Sequence, residues 1–310
     1  RCGSGARREC GSNGVCAGGP GGTYTGVGER SGFLPTAYQG VRLRGVRAPV
    51  LYLSNPPGLN PHTRRQILDD LQQLNQFKRE EFGDPEISSR IASYELAYRM
   101  QMATPELINL GSESKHIQDL YGINRPEPKG LTSRGKSGDT FKNFARNCLL
   151  ARRMVERGVR FVNIVYASWD HHSNLAKELP YNAGCVDQPI AALIRDLKQR
   201  GLFDDVLLVF CTEFGRSPWA QDGKGTKSRT HHPSAFSCWL AGGGIRPGVV
   251  YGKTDDIGNH VEAKAVHIHD FHATLLYLLG VNHEKLTYRH AGRDFRLTDV
   301  FGNVVHDILS

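Results

Sequence analysis

The sequence predicts an α/β fold built on a mainly parallel sheet. Apolar runs short enough for strands alternate with longer segments at helical spacing, the order expected when helices cover a parallel sheet. The run Val206-Leu-Leu-Val-Phe-Cys211 is continuously apolar and bounded by charge and glycine, as a strand buried on both faces must be. Its polar sequel, Thr212-Glu213, and the Trp169-Asp170-His171-His172 that follows Phe161–Ala167, put acids and histidines at two strand ends. Ligands of open α/β sheets bind outside the carboxyl ends of the strands.

The elements follow in order. Residues 1–32 are Gly-rich and almost without aliphatic side chains, so burial cannot offset their ordering entropy. They are expected to be disordered, or a non-native, out-of-frame start, ahead of a domain at 33–310. Val50–Leu53 reads as a short strand closed by Asn55-Pro-Pro-Gly58. Residues 61–82 read as a helix, with Pro61 near its start and Ile67, Leu71, Leu74 and Phe77 along one stripe. A second helix is expected over 85–102 and a short third from Ala103-Thr104-Pro105, then a loop over 122–139 rich in Gly, Pro, Lys and Ser. Phe141–Arg157 is helical and stops at Gly158, the strand 159–167 follows, and Asp187–Arg200 is a helix ended by Gly201. Strands are expected at 205–211 and 235–241, the second running into Gly242-Gly-Gly244. A last helix opens at His269-Asp270 and stops at Gly280. No internal repeat is present.

With 310 residues, 39% of them hydrophobic and 23% charged, the chain has the composition of a globular protein with a substantial core. No apolar run reaches the length of a membrane span. The net charge of +8 is spread among acids, without a basic stripe interleaved with aromatics. It favours small anionic substrates weakly and argues against a nucleic-acid partner. Of seven cysteines, Cys2, Cys10 and Cys16 lie in the Gly-rich segment, and Cys148, Cys185, Cys211 and Cys238 sit among apolar neighbours. None has CxxC spacing, so buried free thiols are expected for the last four. The chain opens without Met and without a charged-then-apolar leader, so no export signal is recognised in it.

Candidate chemistry gathers at the strand ends. Asp170 with His171 or His172 has the donor types that bind zinc, manganese or iron, against the alternative that these residues cap the next element. Glu213 is a further acid, with an ion pair to Arg216 as its alternative role. His231 and His232 precede Pro233; one is expected on a metal and the other facing solvent. His267, His269 and His272 read as structural, beside Asp270 at a helix start. Gly242-Gly-Gly244 is a turn rather than a dinucleotide fingerprint, and Ser54 belongs to a turn rather than to catalysis.

Several motifs together carry a resemblance: Thr212-Glu-Phe-Gly-Arg-Ser-Pro218, Leu240-Ala-Gly-Gly-Gly-Ile245, Val266-His-Ile-His-Asp-Phe-His-Ala-Thr274 and Ala291-Gly-Arg-Asp-Phe-Arg-Leu-Thr-Asp299. With Phe33–Gly40 and Leu53–Gly58, they resemble the bacterial domain-of-unknown-function family numbered 1501, over about residues 32–310. That family is sulfatase-like. The resemblance implies an alkaline phosphatase-like α/β/α sandwich and a metal-dependent hydrolase of sulfate or phosphate esters. It implies a divalent ion (zinc, manganese or calcium) held by Asp170, His172, Glu213 and His231, with His171, Arg216 and His232 as substrate or supporting groups. A small anionic ester or a sulfated glycan would be the substrate, and an exported or periplasmic setting fits. Two positions depart from the pattern. Thr230 stands where an acid is expected before His231, and no nucleophile-bearing first strand precedes the matching region. The chain is therefore expected to be an N-terminally truncated member with half a metal site. The competing reading is a non-catalytic structural or binding protein that retains the fold.

Overall fold

The computed structural model describes residues 14–18, 41–44, 55–83, 87, 91, 94–95, 98, 104–129, 140–166, 169–220 and 227–310. The expected strand at 50–53, Ser54, most of the 85–102 helix, residues 130–139 and the rest of the Gly-rich opening lie outside them. Two compact units divide the chain: one comprises Arg1–Pro128, Arg134–Ala167 and Gly184–Leu193, the other Lys129–Ser133, Ser168–Ala183 and Ile194–Ser310.

The first unit contains β1 (Gly14–Gly18), β2 (Val41–Arg44), α1 (Pro61–Phe82), α2 (Lys115–Tyr121), α3 (Thr140–Glu156) and β3 (Phe161–Val165). The three strands form a parallel sheet in the order β2-β1-β3, with Val15 opposite both Val41 and Val162. Thus β1 lies within the segment expected to lack structure. Pro61 opens α1, the Asn60 side chain accepts from the Thr63 amide at 2.8 Å, and Gly83 closes the helix in the left-handed conformation. The apolar stripe of α1 is not covered by the described residues, and Phe77 is 68% exposed. Its Arg65 face is engaged instead, by Glu95 at 2.8 Å and the Tyr98 ring at 4.9 Å.

The core of this unit is α3, which buries twelve residues from Phe141 to Met154. Leu150 and Met154 pack with Leu107, Ile108, Val159 and Val162. The Glu127 carboxylate accepts from the Phe141 amide at 3.0 Å, meeting a donor that the first helical turn leaves open. Two arginines are buried with the apolar side chains. Glu113 receives both: Arg152 at 2.7 Å, and Arg153 through its Nη1. Arg152 also reaches Glu156 at 2.6 Å.

Residues 184–193 of α4 (Leu175–Gln199) belong to the first unit and the rest of the helix to the second. The sequence places this helix from Asp187, whereas it starts twelve residues earlier, ahead of Pro180 and Gly184. The helix passes through both, since Tyr181, Asn182, Cys185 and Val186 are buried and their packing outweighs local propensity.

The second unit contains β4 (Leu207–Phe210), β5 (Gly215–Arg216), β6 (His231–His232), β7 (Trp239–Gly242), β8 (Lys253–Thr254), β9 (Val261–Ala263), α5 (Ile268–Leu278), β10 (Thr287–His290) and β11 (Arg293–Arg296). All of its strands pair antiparallel in twos: β4 with β7, β5 with β6, β8 with β9 and β10 with β11. This overturns the expected α/β/α sandwich around a mainly parallel sheet. Among the described residues parallel pairing is confined to β2-β1-β3. The strand read as the buried centre of a parallel sheet, β4, instead meets its own returning chain. The chain leaves β4, pairs β5 with β6 in the excursion, and comes back antiparallel as β7, which needs no crossover helix. Nor is β4 covered on both faces as a parallel strand would be: Val209 is 38% exposed. Gly242 makes the return possible. A Cβ there would lie 2.3 Å from the Val206 carbonyl oxygen and 2.5 Å from that of Phe203. The Gly242 turn role read from sequence thus has a steric cause.

In α5 the reading of His267–His272 as structural fits the geometry. His267 caps the helix, Asp270 closes a capping box and also accepts from the Asn303 amide at 2.7 Å. The expectation of four buried thiols needs correction: Cys148 and Cys185 are buried, but Cys211 and Cys238, at the ends of two half-open strands, are exposed. No described helix is long and apolar enough to cross a membrane.

The Glu113 clamp makes a stability prediction. Burial alone would push the Glu113 carboxyl up, but hydrogen bonds from Arg152 and Arg153 outweigh it and hold it below its ordinary range. A depressed folded pKa means this contribution is complete above the unfolded value of about 4.3 and is lost as pH falls through the lower folded value. Glu113→Gln removes the carboxylate that Arg152 and Arg153 share, leaving Arg152 with Glu156 and Arg153 with the Glu106 carbonyl, and costs about 3 kcal/mol. Urea titrations near neutral pH should show the loss, and the gap between wild type and variant should narrow toward strongly acid pH.

Candidate metal centre

Three chain segments of the second unit converge on one point, held by their backbones. Gly215 and Arg216 in β5 pair with His232 and His231 in β6. Just beyond, the Ser217 amide donates to the Thr230 carbonyl at 3.0 Å, and the Thr230 amide donates to Ser217 Oγ at 3.1 Å. The third segment, 169–175, is stitched alongside: the Arg229 amide donates to the His171 carbonyl and the Leu175 amide to the Lys227 carbonyl, both at 3.0 Å. Asn174 takes a left-handed conformation, φ 53°, which turns this segment into α4.

Alternation along 169–172 sorts its side chains. His171 is buried, with its Nε2 3.0 Å from the Asn182 amide nitrogen and the Trp169 ring edge-on at 6.3 Å. An amide nitrogen donates, so Nε2 accepts and the proton sits on Nδ1. Burial lowers the His171 pKa, which favours this neutral form. With His171 anchored inward, Asp170 and His172 face the opposite way, toward β6.

There Asp170 Oδ1 lies 2.8 Å from His172 Nε2 and 3.0 Å from His231 Nε2, and the two nitrogens are 3.1 Å apart. The Phe214 ring backs the His231 ring at 4.4 Å between centroids. The Arg216 guanidinium donates to the same Oδ1 at 2.5 Å. Burial would push Asp170 up; hydrogen bonds from Arg216 and His231 overcome this and hold the carboxyl well below its usual range. The group is therefore a carboxylate throughout ordinary pH, with these contacts gathered on one of its oxygens.

This donor set fits a divalent ion. Three close polar contacts share at most two N–H protons, so they cannot all be hydrogen bonds at once. One ion accepts a lone pair from each of the three atoms, and bonds of about 2.0–2.2 Å bring such donors to roughly 3 Å from one another. Asp170, His172 and His231 are the described residues whose ligand atoms cluster in this way.

A family model described as "Protein of unknown function (DUF1501)" matches residues 13–309. The chain belongs to this family. No curated protein and no solved structure matches it.

In this DUF1501 member, then, three of the four ligands expected from sequence meet. Glu213, the fourth, is exposed and does not join them; β4 ends at Phe210, so Glu213 sits in the bend beyond the strand. Arg216 pairs with Asp170 rather than with Glu213. The two adjacent histidines separate. His231 faces Asp170, while His232 is buried and its Nε2 lies 2.7 Å from the Asn259 carbonyl, which makes it a donor that pins the β8–β9 turn. The expected solvent-facing partner is thus an internal tie. Thr230, at the departure from the family pattern, contributes only backbone pairing and no charge. Sequence reasoning missed Gly215. A Cβ there would sit 2.3 Å from the Ala235 carbonyl oxygen and 3.2 Å from that of His232.

Gly215→Ala should accordingly force β5 off β6 and separate Arg216 and His231 from Asp170. Metal titration should show binding weakened at least tenfold, together with a thermal midpoint lowered by several degrees, since a backbone clash costs about 1–3 kcal/mol.

Proposed function

We propose that the second unit holds a divalent metal ion on Asp170, His172 and His231 and serves hydrolysis of sulfate or phosphate esters, as in sulfatase-like members of the alkaline phosphatase superfamily. The observation that carries this reading is the convergence of the three ligand atoms at 2.8–3.1 Å, with a guanidinium on the same carboxylate oxygen. It rests on this ligand set and on the Trp-Asp-x-His and Ser-Arg-Thr-His motifs, and does not require a parallel-sheet sandwich. A divalent ion bound there would polarise an ester oxygen and stabilise charge developing on it.

The chain's own residues have distinct tasks. Asp170 supplies the single negative charge. His172 and His231 supply neutral nitrogens whose lone pairs must be free of protons, so acid pH opposes binding. His171 and His232, both buried and hydrogen-bonded away from the cluster, hold the two ligand segments in place. Arg216 has two options. It holds Asp170 through Nη2, while its Nη1 is buried with no hydrogen-bond partner among the described residues. A guanidinium with an unmet donor beside a cation site is suited to an anionic ester oxygen.

Wild-type protein should bind zinc or cobalt at one equivalent, and Asp170→Ala, His172→Ala and His231→Ala should each remove it. Unchanged metal content in these variants would sink the ligand assignment. Turnover of aryl phosphates or aryl sulfates that chelator abolishes separates the hydrolase from a structural protein that merely binds metal.

Arg216 is predicted to compete with the metal for Asp170. Arg216→Gln should tighten metal binding several-fold, up to roughly tenfold, by removing a positive charge from the ligand oxygen, and should weaken retention of inorganic phosphate or sulfate by the loaded protein. Isothermal titration with each ligand reads both effects.

A further inference from the structure

The excursion that carries Arg216 and His231 leaves β4 and returns as β7, and its mouth is flanked by cysteines. In the β4–β7 ladder Leu207 stands opposite Gly242 and Phe210 opposite Trp239. One further step in the same register sets Cys211 opposite Cys238. The ladder is well formed up to that step, because the Phe210 and Trp239 rings stack in parallel planes 5.5 Å apart. Side chains directly opposite in an antiparallel pair share a face, with Cβ atoms about 4.5–5.5 Å apart. A disulfide needs Cβ atoms about 3.5–4.5 Å apart, so a small closing movement at the strand ends suffices. All four described thiols are free, but only Cys211 and Cys238 are exposed; Cys148 and Cys185 are buried. Partial burial of its sulfur and then the proximity of Cys211 push the Cys238 thiol up, in keeping with two adjacent sulfurs.

We propose that Cys211 and Cys238 form a reversible cross-strand dithiol–disulfide pair that, when oxidised, clasps the mouth of the excursion bearing Arg216 and His231. The oxidant is a small-molecule disulfide. One cysteine, as thiolate, attacks it and forms a mixed disulfide while one small thiol leaves. The second cysteine then displaces the other small thiol and closes the protein disulfide. One S–S bond of the oxidant is exchanged for one S–S bond of the protein. The two cysteine protons end on the two released thiols, and the two electrons lost by the cysteines reduce the oxidant. The clasp rests on the β4–β7 register and not on the metal reading, so either can fail without the other.

The test is peptide mass mapping, without reduction, of the full chain exposed to oxidised glutathione. The expected product is a peptide containing Cys211 joined to one containing Cys238, two hydrogens lighter than the sum of the two. It should disappear on adding reductant and be absent from Cys211→Ser and Cys238→Ser. The oxidised wild type should melt roughly 5 °C or more above the reduced form, because the cross-link restricts the unfolded excursion. Separate glutathione adducts on the two cysteines, linkage of either to another cysteine, or a lowered melting temperature on oxidation would overturn the proposal. Because the mapping is done on the wild type, it does not depend on either variant folding.

Discussion

One oxygen atom, Oδ1 of Asp170, is the point on which the second unit's site depends. It meets His172 of its own segment at 2.8 Å, and Arg216 at 2.5 Å and His231 at 3.0 Å from 46 and 61 residues further along the chain. A carboxylate oxygen has two lone pairs, so three such partners compete for it. The protein side chains thus form a balanced set, one negative and one positive charge with two titratable imidazoles. A divalent cation bound as proposed would replace the contacts these side chains make with one another.

What keeps the three segments together is backbone pairing rather than a core. β5 pairs with β6, Ser217 with Thr230, and His171 and Leu175 with Arg229 and Lys227. Short ladders of two residues are weak alone. They hold here because each is tied by buried side chains: His171 to Asn182, His232 to the Asn259 carbonyl, and Ser217 Oγ, which donates to the Trp219 carbonyl at 2.7 Å. The exposed faces of the ligands and the buried anchors alternate along the chain. One set of side chains ties the segments down, and the next is the set proposed for the chemistry.

Sequence periodicity was most informative where structure is local. The helix expected at 61–82 is α1, Pro61–Phe82, and the helix stopped by Gly280 is α5, Ile268–Leu278, because caps and helical stripes are written in adjacent residues. It failed on strand direction. A continuous apolar run such as Val206–Cys211 states that a strand is hydrophobic, not which neighbour it meets, and β4 meets β7 antiparallel. It failed also at the start of α4, where buried Tyr181 and Asn182 carry the helix through Pro180. The site was legible in kind: an acid and histidines at Asp170, His172 and His231 do converge. Which member of the His231–His232 pair faces Asp170 depends on the Asn259 carbonyl, twenty-seven residues further along. Glu213 was placed by its distance from an apolar run, yet β4 stops at Phe210, and the extra residues turn it away.

The charge balance of the site bears on what it can bind. Arg216 and Asp170 cancel, and neutral imidazoles add nothing, so the charge of a divalent ion would be left wholly uncompensated by the described ligands. An excess of about two positive charges among these half-exposed side chains would favour a doubly charged anion, and the chain's overall +8 works in the same direction at longer range, within a Debye length of about 8–10 Å. A second carboxylate at position 230 would halve that excess. With the proposed ion bound, Thr230 would trade affinity for the cation against attraction for an anion, and the unmet Nη1 of Arg216 would add a donor for that anion. On the proposed reading, the departure from the expected pattern would not only remove a ligand charge: it would shift the site toward a metal held less tightly and an anion held more.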